Sequence, residues 1–591
     1  MTRLIVALLR YTPRLWLLDA LLWIFILGVF PALPGLLIRG YFDALSDSAG
    51  SGPTIWITAL LAAGAVHIGF IVLGRFTKTQ HRFLVSGLLR RNLLAGVLAR
   101  PGAAALSVSG RPIAVGSALN TFRDDVEHVE DLVVGLSELF ASGLFAVISL
   151  GILFWVNPLL TVLVFLPLLG IVALVRAVDA RIRRYREAGR TATAAVTGLI
   201  GEIFGAVQAV KVAGAEPALL RQLEQASARR GQAMVRDELF TALLRSVFLN
   251  LVSLGTGLIL LAIALLRWRG EVTLSVGDVA LFVYYLGFIG DFLGFFGLMG
   301  AQLRQTAVSL ERMHGLLAAP TPLPLVAAHP LALKPLLGRQ PELPPELPEP
   351  VAEPLEWLEV RGLTFRYPDT GGGITGVDLD IRAGELVVIT GRVGSGKTTL
   401  LRALQGLLPA QAGTIQWNGA LVAEPAQFCT PPRSAYTPQA PRLFSVSLRE
   451  NLRLGYPADE DAVVQALERA RFSHDLADLP EGLATEVGTR GVRLSGGQVQ
   501  RVATARMLVR RPALLIVDDL SSALDVATER ALWDGLRTSA ERPAILAVSH
   551  RREVLRRADR IVVLDEGRVV ASGTLAEVQD DSAAFQRIWQ G

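Results

Sequence analysis

The stretch Gly391-Arg392-Val393-Gly394-Ser395-Gly396-Lys397-Thr398 constrains this chain more than any other, because it fits the phosphate-binding pattern G-x-x-x-x-G-K-[ST] without a gap or a substitution. Glycines let a backbone curl until its N–H groups face phosphate oxygens, a lysine at position 397 brings a point charge to the outer phosphates, and the Thr398 hydroxyl is a Mg²⁺ ligand. The flanks fit the same reading. Residues 385–390 (ELVVIT) read as a short buried strand, and 399–405 (TLLRALQ), opening at Thr399, as a helix whose N-terminal dipole adds to anion binding.

A P-loop alone would suit a soluble enzyme, but 51% of the 591 residues are hydrophobic, which is too many for one. Much of the chain is expected in lipid. Residues 16–38 form the first stretch long enough to cross a bilayer, at roughly 20 residues or more, and they exceed a signal-peptide core. Further candidate spans lie at 55–73, 132–156, 159–175, 246–266 and 276–299, and 2–14 suits a helix lying in the interface. The net charge of +5 is read as membrane topology and not as a nucleic-acid footprint. The single cysteine, Cys429, excludes an intrachain disulfide and reads as an ordinary loop thiol.

The connections after spans two and four are long, charged and helical in pattern, whereas the others are short. Arg75, Lys78, Arg82, Arg90 and Arg91 follow span two and Arg181, Arg183, Arg184 and Arg186 follow span four, while 43–54 holds no Lys or Arg. Positive charge of this kind marks the cytoplasmic side. Arg267 and Arg269 dissent from the outer side. Three ionisable residues fall within spans, Asp19, His67 and Asp291, and each is a candidate for a transport path. The alternatives are an interface-reaching Asp19 and a hydrogen-bonded His67 within the bundle.

Residues 319–354 are dense in proline, a composition that forbids helix and suits a semi-rigid spacer. Beyond them, 357–367 and 377–381 read as strands, 514–517 and 545–549 as buried parallel strands, and 560–572 as a hairpin turning at Glu566-Gly567. The expected organisation is therefore a membrane domain at 1–318, a linker at 319–354 and an α/β domain at 355–591.

The motifs of this last domain resemble, in order, those of the ABC transporter nucleotide-binding domain. Leu494-Ser495-Gly496-Gly497-Gln498 matches the family signature, and 514–519 (LLIVDD) resembles its Walker B strand. Tyr367 in FRYP stands where the family stacks an aromatic ring on adenine, Gln439 in TPQ matches the Q-loop, Ser522-Ala523-Leu524-Asp525 the D-loop, and His550 after AVS the switch histidine. Six spans followed by an ATPase in one polypeptide resemble an ABC exporter half-transporter. Within that resemblance, 207–216 (VQAVKVAGAE) looks like part of the second cytoplasmic loop, and 485–491 like the exporter X-loop with Thr489 in place of the usual Glu.

The resemblance implies a multi-domain fold, an all-α six-helix transmembrane domain followed by an α/β P-loop NTPase domain of ABC type. It implies ATP and Mg²⁺ as cofactors, with Thr398, Gln439 and Asp518 on the metal, Asp519, Gln439 and His550 as catalytic residues, and Asp525 and the signature residues on nucleotide. Ser495 to Gly497 would serve nucleotide held by a second half-transporter. The family's catalytic base is Glu; Asp519 is one methylene shorter, and a misplacement of about 1 Å can cost on the order of a hundredfold in rate. This swap resembles the degenerate site of heterodimeric exporters, so a heterodimer is favoured over a homodimer. The implied function is ATP-driven export across a bacterial inner membrane, with the ATPase in the cytoplasm; a homodimeric exporter or lipid flippase, and an ATP-gated channel or regulatory protein, stay open. Apolar cavity walls and lipid-facing walls look alike in sequence, so the substrate stays unnamed.

Overall fold

A computed structural model of the chain describes residues 1–46, 52–100, 102, 107–108, 111–113, 115–268, 274–317, 319–331, 353–488, 494–520, 524–537 and 542–590. They fall into two compact units, Met1–Leu94 with Val115–Leu343, and Ala95–Ala114 with Pro344–Gly591.

The first unit is helical: α1 (Thr2–Tyr11), α2 (Pro13–Trp23), α3 (Ala32–Ser46), α4 (Thr54–Leu98), α5 (Val126–Val156), α6 (Pro158–Gly205), α7 (Val207–Ala213), α8 (Glu216–Trp268) and α9 (Val276–Leu317). Pro13 opens α2 where its missing N–H costs nothing, and the π-helical segment Ile24–Val29 lies between α2 and α3. Among the described residues four stretches are long and apolar enough to cross a membrane: Pro13–Ser46, Thr54–Leu98, Val115–Val156 and Val276–Leu317. The predicted spans 159–175 and 246–266 fall in α6 and α8, where the side chains of 163–183 and many of those in 244–268 lie outside the described residues. The chain bends by 76° between α6 and α7.

Close approach holds this bundle together. A Cβ on Gly35 would sit 2.4 Å from the Tyr285 ring, so only glycine lets α3 and α9 meet there, and the Tyr285 hydroxyl donates to the Ala32 carbonyl at 2.7 Å. Arg39 pairs with Asp278 at 2.8 Å, and the Gly277 N–H donates to Asp43 at 3.1 Å. Asp19 does not reach an interface. It is 1% exposed and accepts hydrogen bonds from Thr77 at 2.9 Å and Ser137 at 3.4 Å, which ties α2 to α4 and α5. His67 likewise bonds the Ile26 carbonyl at 3.1 Å and stacks on Phe30 at 4.1 Å. Asp291, by contrast, is exposed.

The proline-rich region begins as a docked segment and includes one 3₁₀ turn, Leu323–Val326, which composition alone argues against. Leu325 is fully buried, the Asn92 amide donates to the Leu325 and Ala327 carbonyls at 2.9 and 2.8 Å, and the Tyr11 hydroxyl donates to His329 O at 2.7 Å. These long-range bonds satisfy backbone groups that prolines leave without secondary-structure partners. Residues 332–352 lie outside the described residues.

The second unit is α/β. Its strands are β1 (Trp357–Arg366), β2 (Gly373–Arg382), β3 (Leu386–Gly391), β4 (Ala412–Trp417), β5 (Ser434–Thr437), β6 (Leu514–Asp518), β7 (Ala544–Val548), β8 (Arg560–Asp565) and β9 (Arg568–Gly573). One sheet runs β9-β8-β3-β7-β6-β5, parallel except for β9; a second, antiparallel sheet orders β2-β1-β4 with Ala420–Leu421 at its edge. Every residue of β3, β6 and β7 is buried, as expected of parallel strands covered on both faces. Alternation divides them between two cores. Val388, Val517 and Ala547 face one that holds Trp533 and Phe472, while Val387, Ile389, Ile516 and Leu546 face another with Leu400, Leu401 and Leu404. Truncating the fully buried Trp533 to Ala would cost about 3–5 kcal/mol. The register pairs Val548 with both Ile389 and Asp518, so β3, β6 and β7 end side by side. Their carboxyl ends make one edge, where α/β sheets place ligands.

Candidate functional site

The P-loop leaves that edge from β3 and runs into α10 (Lys397–Leu404). Two of its glycines are required by space as well as by conformation. At Gly391 (φ 151°) a Cβ would lie 2.1 Å from the Leu564 carbonyl oxygen, and at Gly396 (φ 98°) 2.7 Å from that of Gly373. Gly396 caps α10 without a side chain, so the first N–H groups of the helix keep no side-chain acceptor. Ser395 is buried, Arg392 is exposed and Val393 is 97% exposed at the loop tip.

Around this loop lies a cleft of about 460 Å³ lined by Tyr367, Gly394, Lys397, Thr398, Gln439, Asp518, Asp519 and His550, with Val393, Gly396 and Thr399 on the loop side. Residues scattered over nearly 200 positions meet because β1, β5, β6 and β7 all end here. Lys397 donates to the Gly391 and Arg392 carbonyls at 2.8 and 2.7 Å. Burial lowers its pKa, an effect opposed by the carboxylates of Asp518 and Asp519. Burial raises the Asp518 carboxyl, opposed first by the hydrogen bond from Thr398. Burial also lowers His550, helped by the nearby charge of Lys397, which favours the neutral imidazole.

Asp519 follows β6 with φ 53°, a left-handed conformation uncommon for a residue with a side chain, and its N–H donates to the Val548 carbonyl at 3.0 Å. Its carboxylate accepts from the Gln439 amide at 3.3 Å, and Thr390 lies 3.5 Å from His550 Nδ1. Tyr367 stands edge-to-face on Phe365 with centroids 5.0 Å apart. The cleft thus combines a lysine, open backbone donors and hard oxygen groups, a donor set that suits a phosphate chain with Mg²⁺.

The signature stands apart from this cleft. Ser495 caps α11 (Gly496–Leu508): its hydroxyl accepts from Gln498 N at 3.3 Å, and Gln498 returns a bond from Ser495 N at 2.7 Å. This capping box engages the Gln498 N–H, so that donor is not free for phosphate. Asp475, which no motif marks, receives the Gln498 amide at 2.9 Å and Arg501 at 2.5 Å. Asp525 caps α12 (Val526–Arg537) by accepting from Thr528 N at 2.9 Å and its hydroxyl at 2.6 Å. Ser522, Ala523 and Thr489 lie outside the described residues. Sequence reasoning also misses Arg551, which pairs with buried Glu529 at 2.7 Å and bonds Leu524 O at 3.4 Å, fastening the residue after His550 to the start of the D-loop helix. A charge next to His550 was the only clue. Cys429 is buried, and its thiol is pushed up to about 12 by that burial.

Comparison with known proteins follows the same division. A family model described as ABC transporter transmembrane region matches residues 15–292, and one described as ABC transporter matches 374–522. The chain is 29% identical over 571 residues to an ATP-dependent lipid A-core flippase of Ralstonia nicotianae, covering 95% of this chain and 91% of that protein. It is 32% identical over 321 residues to heavy metal tolerance factor 1 of Caenorhabditis elegans, covering 54% of this chain but only 38% of that protein. In fold it resembles a solved bacterial Atm1-family ABC exporter with ATP bound, with a TM-score of 0.76, 22% identity and 98% of each chain covered.

Proposed function

Because this chain belongs to the ABC transporter family, as an exporter half-transporter with its ATPase domain in the same polypeptide, we propose that it is one subunit of an ATP-driven exporter whose two ATPase domains close over nucleotide. The observation that carries the reading is the convergence of Lys397, Thr398, Gln439, Asp518, Asp519 and His550 on one cleft in a chain with bilayer-length helices. In this reading the loop N–H groups and Lys397 bind the phosphates of ATP, and Tyr367 stacks on its base. Thr398, Asp518 and Gln439 would hold Mg²⁺, which would neutralise phosphate charge. Asp519, held by Gln439, stands in the place of the general base but one methylene short of the family's Glu, so it accepts the proton of the attacking water only slowly, and neutral His550 donates toward the terminal phosphate. Ser495, Gly496, Gly497 and Asp525 serve the nucleotide of the opposite subunit. Closing and reopening rocks the membrane helices between inward and outward access.

Asp519 supports a heterodimer, in which a partner supplies the catalytic Glu and this chain supplies an intact signature. The arginines after spans two and four support a cytoplasmic ATPase, and bacterial relatives support an inner-membrane location. A second reading, a homodimeric lipid flippase, draws on the flippases to which the chain is similar along most of its length. Purification of the chain alone, with ATPase and vesicle transport assays, separates the two. Robust activity that Asp519→Asn abolishes would establish the homodimer; near-inactivity alone, with turnover restored by a second half-transporter, supports the heterodimer. Nucleotide labelling with no movement of any substrate in vesicles would favour a channel or regulatory role.

A further inference from the structure

The helix α9 has two dissimilar sides. Phe282, Tyr285, Leu286 and Ile289 are buried, whereas the opposite side, set by 3.6 residues per turn, carries exposed Phe288, Asp291 and Leu298 together with half-buried Tyr284 and Phe295. Phe288 is 37% exposed and Leu298 71%, and the rings of Tyr284 and Phe288 lie 5.1 Å apart. Asp291 stands among them, exposed, with no hydrogen bond or ion pair to any described residue. It is the sole charged residue of α9 between Asp278 and Arg304. This contrasts with Asp19, whose carboxylate is buried and accepts two hydrogen bonds.

An ionised carboxylate facing hydrocarbon is costly, so this side is turned to a polar cavity or to something that compensates the charge. What compensates best is a cation, because Phe288 and Phe295, one turn to either side of Asp291 along the helix, are aromatic groups whose faces attract positive charge as the carboxylate does, while their hydrocarbon accepts an apolar body. The same group repels an anion. We propose that Tyr284, Phe288, Asp291 and Phe295 form a substrate-binding face selective for amphipathic organic cations. The inference rests on the exporter reading for what the face is for, and it extends that reading by naming a substrate class. It also sets the chain apart from a carrier of an anionic headgroup.

The test uses the reconstituted full-length transporter with its partner subunit, in neutral-lipid nanodiscs and proteoliposomes, and two near-isosteric probes, tetraphenylphosphonium and tetraphenylborate. Tetraphenylphosphonium should bind saturably and be accumulated on addition of ATP. Asp291→Asn should weaken its binding about tenfold and Asp291→Glu should largely restore it, with assembly of the complex unchanged. Phe288→Ala should weaken binding by a few-fold. Unaltered phosphonium binding in Asp291→Asn, or borate binding more tightly through the same residue, would overturn the proposal. So would dissociation of the complex by Asp291→Asn, which would make Asp291 an interface residue. ATP-driven transport of borate that ignores Asp291→Asn would overturn this inference and leave the exporter reading standing. Phosphonium binding that depends on Asp291 without any ATP-driven movement would do the reverse.

Discussion

The helix behind the P-loop is capped by a glycine and the helix behind the signature by a serine, and their first turns are wired in opposite ways. Gly396 gives α10 no side-chain cap, and Lys397 stands at its first position. At α11, Ser495 and Gln498 satisfy each other, and Asp475 fixes Gln498 from outside the motif. The P-loop therefore keeps its N–H groups and a cation available for an anion, whereas the signature is a rigid turn with fewer free donors and no basic residue among Ser495, Gly496, Gly497 and Gln498. A surface of the second kind can complete a phosphate site whose positive charge is supplied elsewhere. It is poorly suited to create one alone.

The substitution with the largest expected effect tests the first half of this contrast. Lys397→Ala should lower nucleotide affinity at this chain's own P-loop by about a hundredfold, since hydrogen bonds involving charge contribute about 1.5–3 kcal/mol each. Photolabelling of this chain at wild-type nucleotide concentrations would sink the assignment. Ser495→Arg tests the second half. It should nearly abolish ATP hydrolysis by the assembled transporter by obstructing the turn, yet leave labelling of this chain's P-loop intact; loss of both would mean the two sites are not separable.

Smaller effects sharpen the comparison within the P-loop cleft. Tyr367→Ala should raise the nucleotide dissociation constant roughly fivefold, the lower end expected for one stacked ring already engaged with Phe365. An unchanged constant would remove the stacking role. The smallest change is expected from Asp519→Asn, which should reduce turnover of a heterodimer only modestly. A fall of a hundredfold or more, as general bases give, would mean that Asp519 is the working base.

Much of the ATPase unit was legible because its motifs are contiguous and their backbone needs are local. The strand at 385–390, the helix after Lys397 and the hairpin at Glu566-Gly567 all formed within a residue or two of expectation. The Asp475 clamp and the Arg551–Glu529 pair were not legible, because each joins residues more than 20 positions apart and Asp475, Arg551 and Glu529 stand outside every motif.

In the membrane unit the balance shifts. The apolar lengths of the sequence determined that the chain enters a bilayer, since this depends on composition summed over many residues, and its arginine-rich flanks carry the expectation that the long connections face the cytoplasm. The sequence marked Asp19 and Asp291 alike as candidates for a transport path, with an interface-reaching alternative for Asp19, and did not settle which carboxylate is satisfied within the bundle. Tertiary packing made that distinction: Thr77 and Ser137 come from other helices to satisfy Asp19, while nothing described reaches Asp291. Packing likewise docked the proline-rich segment through Asn92 and Tyr11. A side chain's electrostatic fate depends on which helices arrive beside it, and that is a property of the assembled bundle and not of any one stretch.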